Sequence, residues 1–206
     1  MKRDRSTMLL PHRYKHSSFV KVASRVSTAA GPVGANAPVG AQRTARQEQF
    51  ILHVTIPSST ARVGQRAEGW RDALTAAGRP VPEPLDGGWS PRSGYLAARA
   101  VVADPQVTAV LCGNDDLALG VLRAAREAGR DVPGDLSVMG FDDAPYAAYT
   151  HPTLTTVRLD LEGLGRGAFG MLHRLLKPEN APAAPLGAEP ELIVRESTGP
   201  APHRTA

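Results

Sequence analysis

The chain has 206 residues, 42% of them hydrophobic and 21% charged, with a formal net charge of +4 and a single cysteine. That composition suits one α/β domain or two small ones; one cysteine excludes a disulfide within the chain and makes a cytoplasmic home the default. No apolar run approaches the roughly 20 residues of a membrane span, no apolar segment follows the basic N-terminus as a signal peptide requires, and aromatic residues at 5% are too sparse for a single-strand stacking platform.

The charge is unevenly spread, +7 over residues 1–50 and −3 over the remainder. Residues 1–49, with a Gly/Pro/Ala-rich run at 31–40, show neither helical nor strand period and no helix-turn-helix pattern. They read first as a solvated, disordered basic arm and second as an arm that touches nucleic acid. The ordered part starts with a strand at 50–56. A helix follows over 62–77, with Ala67, Trp70, Ala73, Leu74 and Ala77 as its apolar stripe and Gly78 as its stop. A Pro-rich connection, 79–88, leads to Trp89. Ser90-Pro91 is an N-cap with proline at the first helical position, so a second helix runs over 91–103, and Asp104-Pro105 ends it.

The most informative stretch is 107–143. Val107–Cys112 is an apolar, β-branched run that suits a strand buried on both faces. Asn114 caps a helix from Asp115 whose apolar residues Leu117, Val121, Leu122 and Ala125 recur at three and four, with Gly129 past its end. A second buried strand, 136–141, ends at Asp142-Asp143. Strand, helix and strand over about 35 residues make a βαβ unit with parallel strands. Beyond it come an irregular segment at 144–152, a short strand at 154–157, a helix at 160–177, a loop at 178–190, a last strand at 192–194 and a tail from Gly199. The helix at 160–177 carries Leu161, Leu164, Met171, Leu172 and Leu175 on a stripe that needs a partner, and four glycines that weaken it by about 1 kcal/mol each relative to alanine.

The fold class expected is therefore α/β, a doubly wound parallel sheet flanked by helices. Ligands of such sheets bind at the carboxyl ends of the strands, where this chain sets Arg66, Asn114, Asp142 and, nearby, Trp89. Each has a plainer explanation: Asn114 as a helix cap, Asp142-Asp143 as a turn signal, Arg66 as a surface arginine, Trp89 as core. Together they offer donors (Arg66), acceptors (Asp142) and both (Asn114), a suite that suits a polyhydroxylated ligand. No histidine or further acid stands at metal-ligand spacing beside Asp142-Asp143, so neither metal nor cofactor is expected. No nucleophile elbow, glycine-rich phosphate loop or HExxH is present, which speaks against an enzyme.

Three blocks carry a resemblance: 111–120 (LCGNDDLALG), 132–143 (VPGDLSVMGFDD) and 152–157 (PTLTTV), with R-A-E-G-W at 66–70 and G-W-S at 88–90. In order and spacing they resemble the LacI/GalR family of bacterial transcription regulators over about residues 50–200. The resemblance implies a periplasmic-binding-protein-like sensor, mainly its C-terminal subdomain. Arg66, Asn114 and Asp142 would hydrogen-bond a sugar or nucleoside effector, and Trp89 and Leu161 would pack on it. It implies a cytoplasmic repressor-type regulator, a homodimer whose intact members bind operator DNA, with no membrane partner. Family members carry a helix-turn-helix, a hinge and a first sensor subdomain ahead of the matched region, and residues 1–49 match none of these. The expectation is thus a partial sensor at 50–200 without its DNA reader. A solute-binding protein of a transport system is the alternative on the same fold.

Overall fold

The computed structural model describes residues 50–57, 64–176 and 187–200. The expectations for the arm at 1–49, the start of the first helix at 62–63, the end of the last helix at 177 and most of the loop after it fall outside these residues.

Three strands of the predicted kind, β1 (Phe50–Thr55), β3 (Val107–Cys112) and β4 (Ser137–Met139), form one parallel sheet with a two-residue strand, β2 (Leu85–Asp86), in the order β2-β1-β3-β4. In the sequence β2 lies inside the Pro-rich connection; two residues are too few to show a period. The strand expected at 154–157 is observed as β5 (Thr156–Arg158). It joins β4 through single parallel bridges, Met139 to Thr155 and Asp142 to Arg158, and pairs antiparallel with β6 (Glu191–Ile193).

Side chains alternate along the strands and so serve two layers. On one face Ile51 and Leu111 meet Trp70 and Leu74 of α1 (Gly64–Ala76). On the other, Leu52, Val54, Val110 and Cys112 meet Ala98 and Val102, from α2 (Pro91–Ala98) and the turns after it, and Leu117, Val121 and Ala125 of α3 (Asp115–Glu127). Helices on both faces of a parallel sheet make the doubly wound architecture that the sequence implied. The α2–α3 crossing is close because of glycine: a Cβ on Gly120 would lie 2.0 Å from the Pro91 carbonyl oxygen. Ser90 caps α2 through a reciprocal box with Ser93. That helix stops at Ala98 rather than at 103, the chain turning so that Val102 reaches the core.

The strand order turns at β1: the chain runs outward to β2, then returns to place β3 on the opposite side. That reversal is the switch point at which open α/β sheets leave a crevice beyond their carboxyl ends. The last helix, α4 (Leu161–Leu176), buries Gly163 and Gly167, while Leu161, Leu164, Leu172 and Leu175 of the predicted stripe are exposed together with Phe169 and Leu176. No described helix is long and apolar enough to cross a membrane.

Candidate functional site

Four of the five predicted site residues meet at that crevice. Arg66 lies near the start of α1, just after β1. Its NH1 donates to the carbonyl of Gly113, the residue that follows β3, and its NH2 stands 3.5 Å from Oδ1 of Asp142, beyond β4. The guanidinium also lies 3.8 Å from the centre of the Phe141 ring, a cation–π contact. One side chain therefore bridges the ends of two adjacent strands. Burial lowers the Arg66 pKa, while the carboxylates of Asp142 and Asp115 oppose the shift.

Asn114 does what its position predicts for a cap: Oδ1 accepts from the Leu117 N–H at 2.8 Å. Its Nδ2 donates to the Trp89 carbonyl at 3.4 Å. Capping thus takes one of the oxygen's two lone pairs and Trp89 one of the two amide N–H groups, so Asn114 retains an acceptor and a donor. Trp89 itself is 54% exposed. Its ring is not part of the core, which disposes of the plainer of its two readings.

Asp142 is 43% exposed and sits at φ 110°, followed by Asp143 at φ 52°. Non-glycine residues seldom occupy positive φ, and when they do the site is often functional. Partial withdrawal from water pushes the Asp142 carboxyl up to about 6; Arg66 opposes this, and Asp115 and Asp116 add to it. Asp142 is thus an acceptor at neutral pH and a donor in mild acid. Leu161, by contrast, is 60% exposed at the start of α4 and is the one predicted residue that the described contacts do not draw into the cluster.

Three participants escaped the sequence reading. Phe141 read as the last residue of a buried strand, and nothing in sequence marks it as the support of a cation. Asp115 and Asp116 read as acids at the positive end of a helix. In the fold Asp115 is buried and accepts from Thr156 and Ala144, whereas Asp116 accepts from the Tyr146 hydroxyl. Asp143, read together with Asp142, faces away to a different task. Its carboxylate takes Arg158 and Arg195, both at 2.7 Å, and against the effect of burial these two lower its pKa.

The model of the periplasmic binding protein-like domain matches residues 44–198. The chain is 45% identical over 109 residues to the HTH-type transcriptional regulator MalR of Streptomyces coelicolor, covering 53% of this chain and 32% of that protein. It is 40% identical over 144 residues to the HTH-type transcriptional repressor PurR of Erwinia tasmaniensis, covering 68% of this chain and 42% of that protein. Among solved structures, a sugar-binding transcriptional regulator of the LacI family from Escherichia coli, complexed with phosphate, superposes with a TM-score of 0.73 at 27% identity, over 91% of this chain and 62% of that one. The chain thus spans 32% and 42% of the length of these two curated relatives.

Proposed function

The chain belongs to the periplasmic binding protein-like family, among its LacI/GalR regulators, and from that premise we propose that residues 50–200 are the effector-binding domain of a transcription regulator that senses a sugar or nucleoside. The observation that carries this reading is the Arg66–Asp142 pair, spanning the crevice at the switch point with Asn114 and Trp89 beside it. Arg66 supplies donors and Asp142 acceptors, the complements of a ligand's hydroxyls. Trp89, half exposed, offers a face on which a sugar ring stacks. Leu161, which stands outside the cluster, is the apolar residue expected to pack on the ligand.

The regulator reading outranks a transport-type solute receptor because the relatives matched over most of this domain are regulators. We take the working form as a cytoplasmic homodimer, and operator DNA as the partner of the whole regulator. Binding of an effector by such proteins shifts a population between two arrangements, and no chemistry at the site is required.

Isothermal titration with D-ribose, D-galactose, cellobiose, adenosine and guanosine tests the proposal. We expect saturable binding of at least one, lost in Asp142→Ala and in Arg66→Ala. No binding of any, or binding untouched by both substitutions, would overturn it.

A further inference from the structure

The turn that carries Asp142 is bent against the preference of its own residues. Asp142 and Asp143 are successive non-glycine residues at φ 110° and 52°. Backbone of this kind persists only where surrounding contacts over-determine it. Arg158 and Arg195 hold the Asp143 side chain and the Val157 carbonyl accepts the Asp142 N–H, while the backbone on both sides of Asp142 is tied to one carboxylate, that of Asp115, which is 2% exposed at the start of α3 and adjacent to Asn114.

Asp115 Oδ2 accepts the backbone N–H of Ala144 at 2.6 Å, and Oδ1 accepts the hydroxyl of Thr156 at 2.6 Å. The same Thr156 oxygen accepts the N–H of Asp143 at 3.2 Å, and the backbone N–H of Phe141 also donates toward Asp115. The residues on either side of Asp142 are thus tied to a single side chain, directly or through Thr156. The strand before the turn is pressed onto that carboxylate as well: a Cβ on Gly140 would stand 2.1 Å from Asp115 Oδ1.

Helix chemistry leaves this arrangement unexplained. Asn114 already caps α3, and Asp116 beside it serves Tyr146. A carboxylate out of water needs its lone pairs filled, and the donors that fill these come from the turn and from β5. Removing a donor therefore releases the turn rather than the helix.

We propose that Asp115 is the positioning residue of the effector site: through Ala144, Phe141 and Thr156 it sets the 141–144 turn and so holds the Asp142 carboxylate opposite Arg66. Asp115 acts from behind and does not face the ligand. Its purpose rests on the effector reading above, but the arrangement itself is testable in the protein without any ligand.

The test follows the γ-carboxyl carbon of Asp142 by NMR through its titration in the wild type, Thr156→Val and Thr156→Ser, with thermal unfolding recorded alongside. Valine has the shape of threonine, favours a strand and changes no charge. In Thr156→Val we expect the Asp142 midpoint to fall by about one unit toward the ordinary carboxylate value as the side chain swings into water. Thr156→Ser, which keeps the hydroxyl, should restore the wild-type titration. An Asp142 titration unmoved in Thr156→Val overturns the proposal, even if the variant is less stable, because a purely structural Asp115 lowers stability without moving Asp142. Thr156→Ala, read in the same way, stands in should the valine variant not fold. Absence of sugar or nucleoside binding by the wild type would defeat the effector reading and leave these titrations standing. An unmoved Asp142 would defeat the positioning role whatever the wild type binds.

Discussion

Arg66 rests on Phe141: the guanidinium carbon lies 3.8 Å from the ring centre while NH2 reaches the carboxylate of the next residue in the chain, Asp142. In an extended strand two consecutive side chains point to opposite faces. Here the positive φ of Asp142 breaks that alternation, so ring and carboxylate approach the same cation. The turn's bend is what allows two neighbouring residues to orient one donor.

Phe141→Leu should therefore loosen Arg66 without removing it. A cation–π contact at a partly open site contributes about 0.5–1 kcal/mol, so affinity for a bound sugar or nucleoside should fall roughly 2- to 6-fold. Titration calorimetry reads the loss. An unchanged affinity would mean that Arg66 is held by Gly113 and Asp142 alone.

Asp142→Gly should separate stability from binding. Glycine adopts φ 110° freely, and the strain relieved at such a residue is about 1–3 kcal/mol. The pair with Arg66 that is lost is partly exposed and adds little. The variant should be more stable than the wild type by about 1 kcal/mol in urea unfolding, yet bind no effector. A destabilised variant would show that the pair, not the strain, dominates the turn.

Acid should act on two groups in opposite directions. His53 is buried against Trp70, its Nδ1–H donates to the Leu111 carbonyl at 3.0 Å, and burial depresses its pKa to about 4. Between 6.5 and 4 the unfolded chain binds that proton and the folded one does not, so stability falls as pH drops through this window. The loss from pH 7.5 to 4.5 is roughly 2–3 kcal/mol for a fully buried group. Asp142 works the other way: raised to about 6, it binds a proton in the folded state first, so stability gains as pH falls from 6 toward 3.8. Its 43% exposure makes that gain the smaller. His53→Phe should flatten the acid loss and Asp142→Asn should deepen it. Urea midpoints of the three proteins at both pH values check the signs.

Cys112, buried at the end of β3, should be silent toward thiol reagents. Burial pushes its thiol pKa up, and the thiolate is the reactive form. Labelling should proceed only as fast as the sheet opens and accelerate with urea; fast labelling in native buffer would contradict the observed packing.

The outward leucines of α4 should tolerate polar residues. Leu172→Gln and Leu175→Gln change side chains already exposed, so the unfolding free energy should move by less than about 0.5 kcal/mol. Light scattering of the same variants reads whether this face draws copies of the chain together. A large loss of stability would mean that the helix packs more tightly than its exposure indicates.

Much of this molecule was already determined by its sequence, because short-range patterns encode short-range physics. The β-branched run at 107–112 specified a strand buried on both faces, Asn114 and Ser90 specified their helix starts, and a strand–helix–strand spacing of that length admits only parallel pairing. Arg66, Asn114 and Asp142 were legible as neighbours because each follows a strand visible in the sequence, and the carboxyl ends of parallel strands share one edge; Trp89 follows β2, which the sequence does not show. Tertiary structure decided the rest. Two residues of β2 form a strand only because β1 offers its edge. Asp115 looks like any acid at a helix start until β5, distant in sequence, brings Thr156 against it. Phe141 becomes a support for Arg66 only through the bend at Asp142. And the leucines of α4, a stripe in need of a partner, face outward while Gly163 and Gly167 are buried: periodicity tells which residues share a face, and only the neighbouring elements tell whether that face is covered.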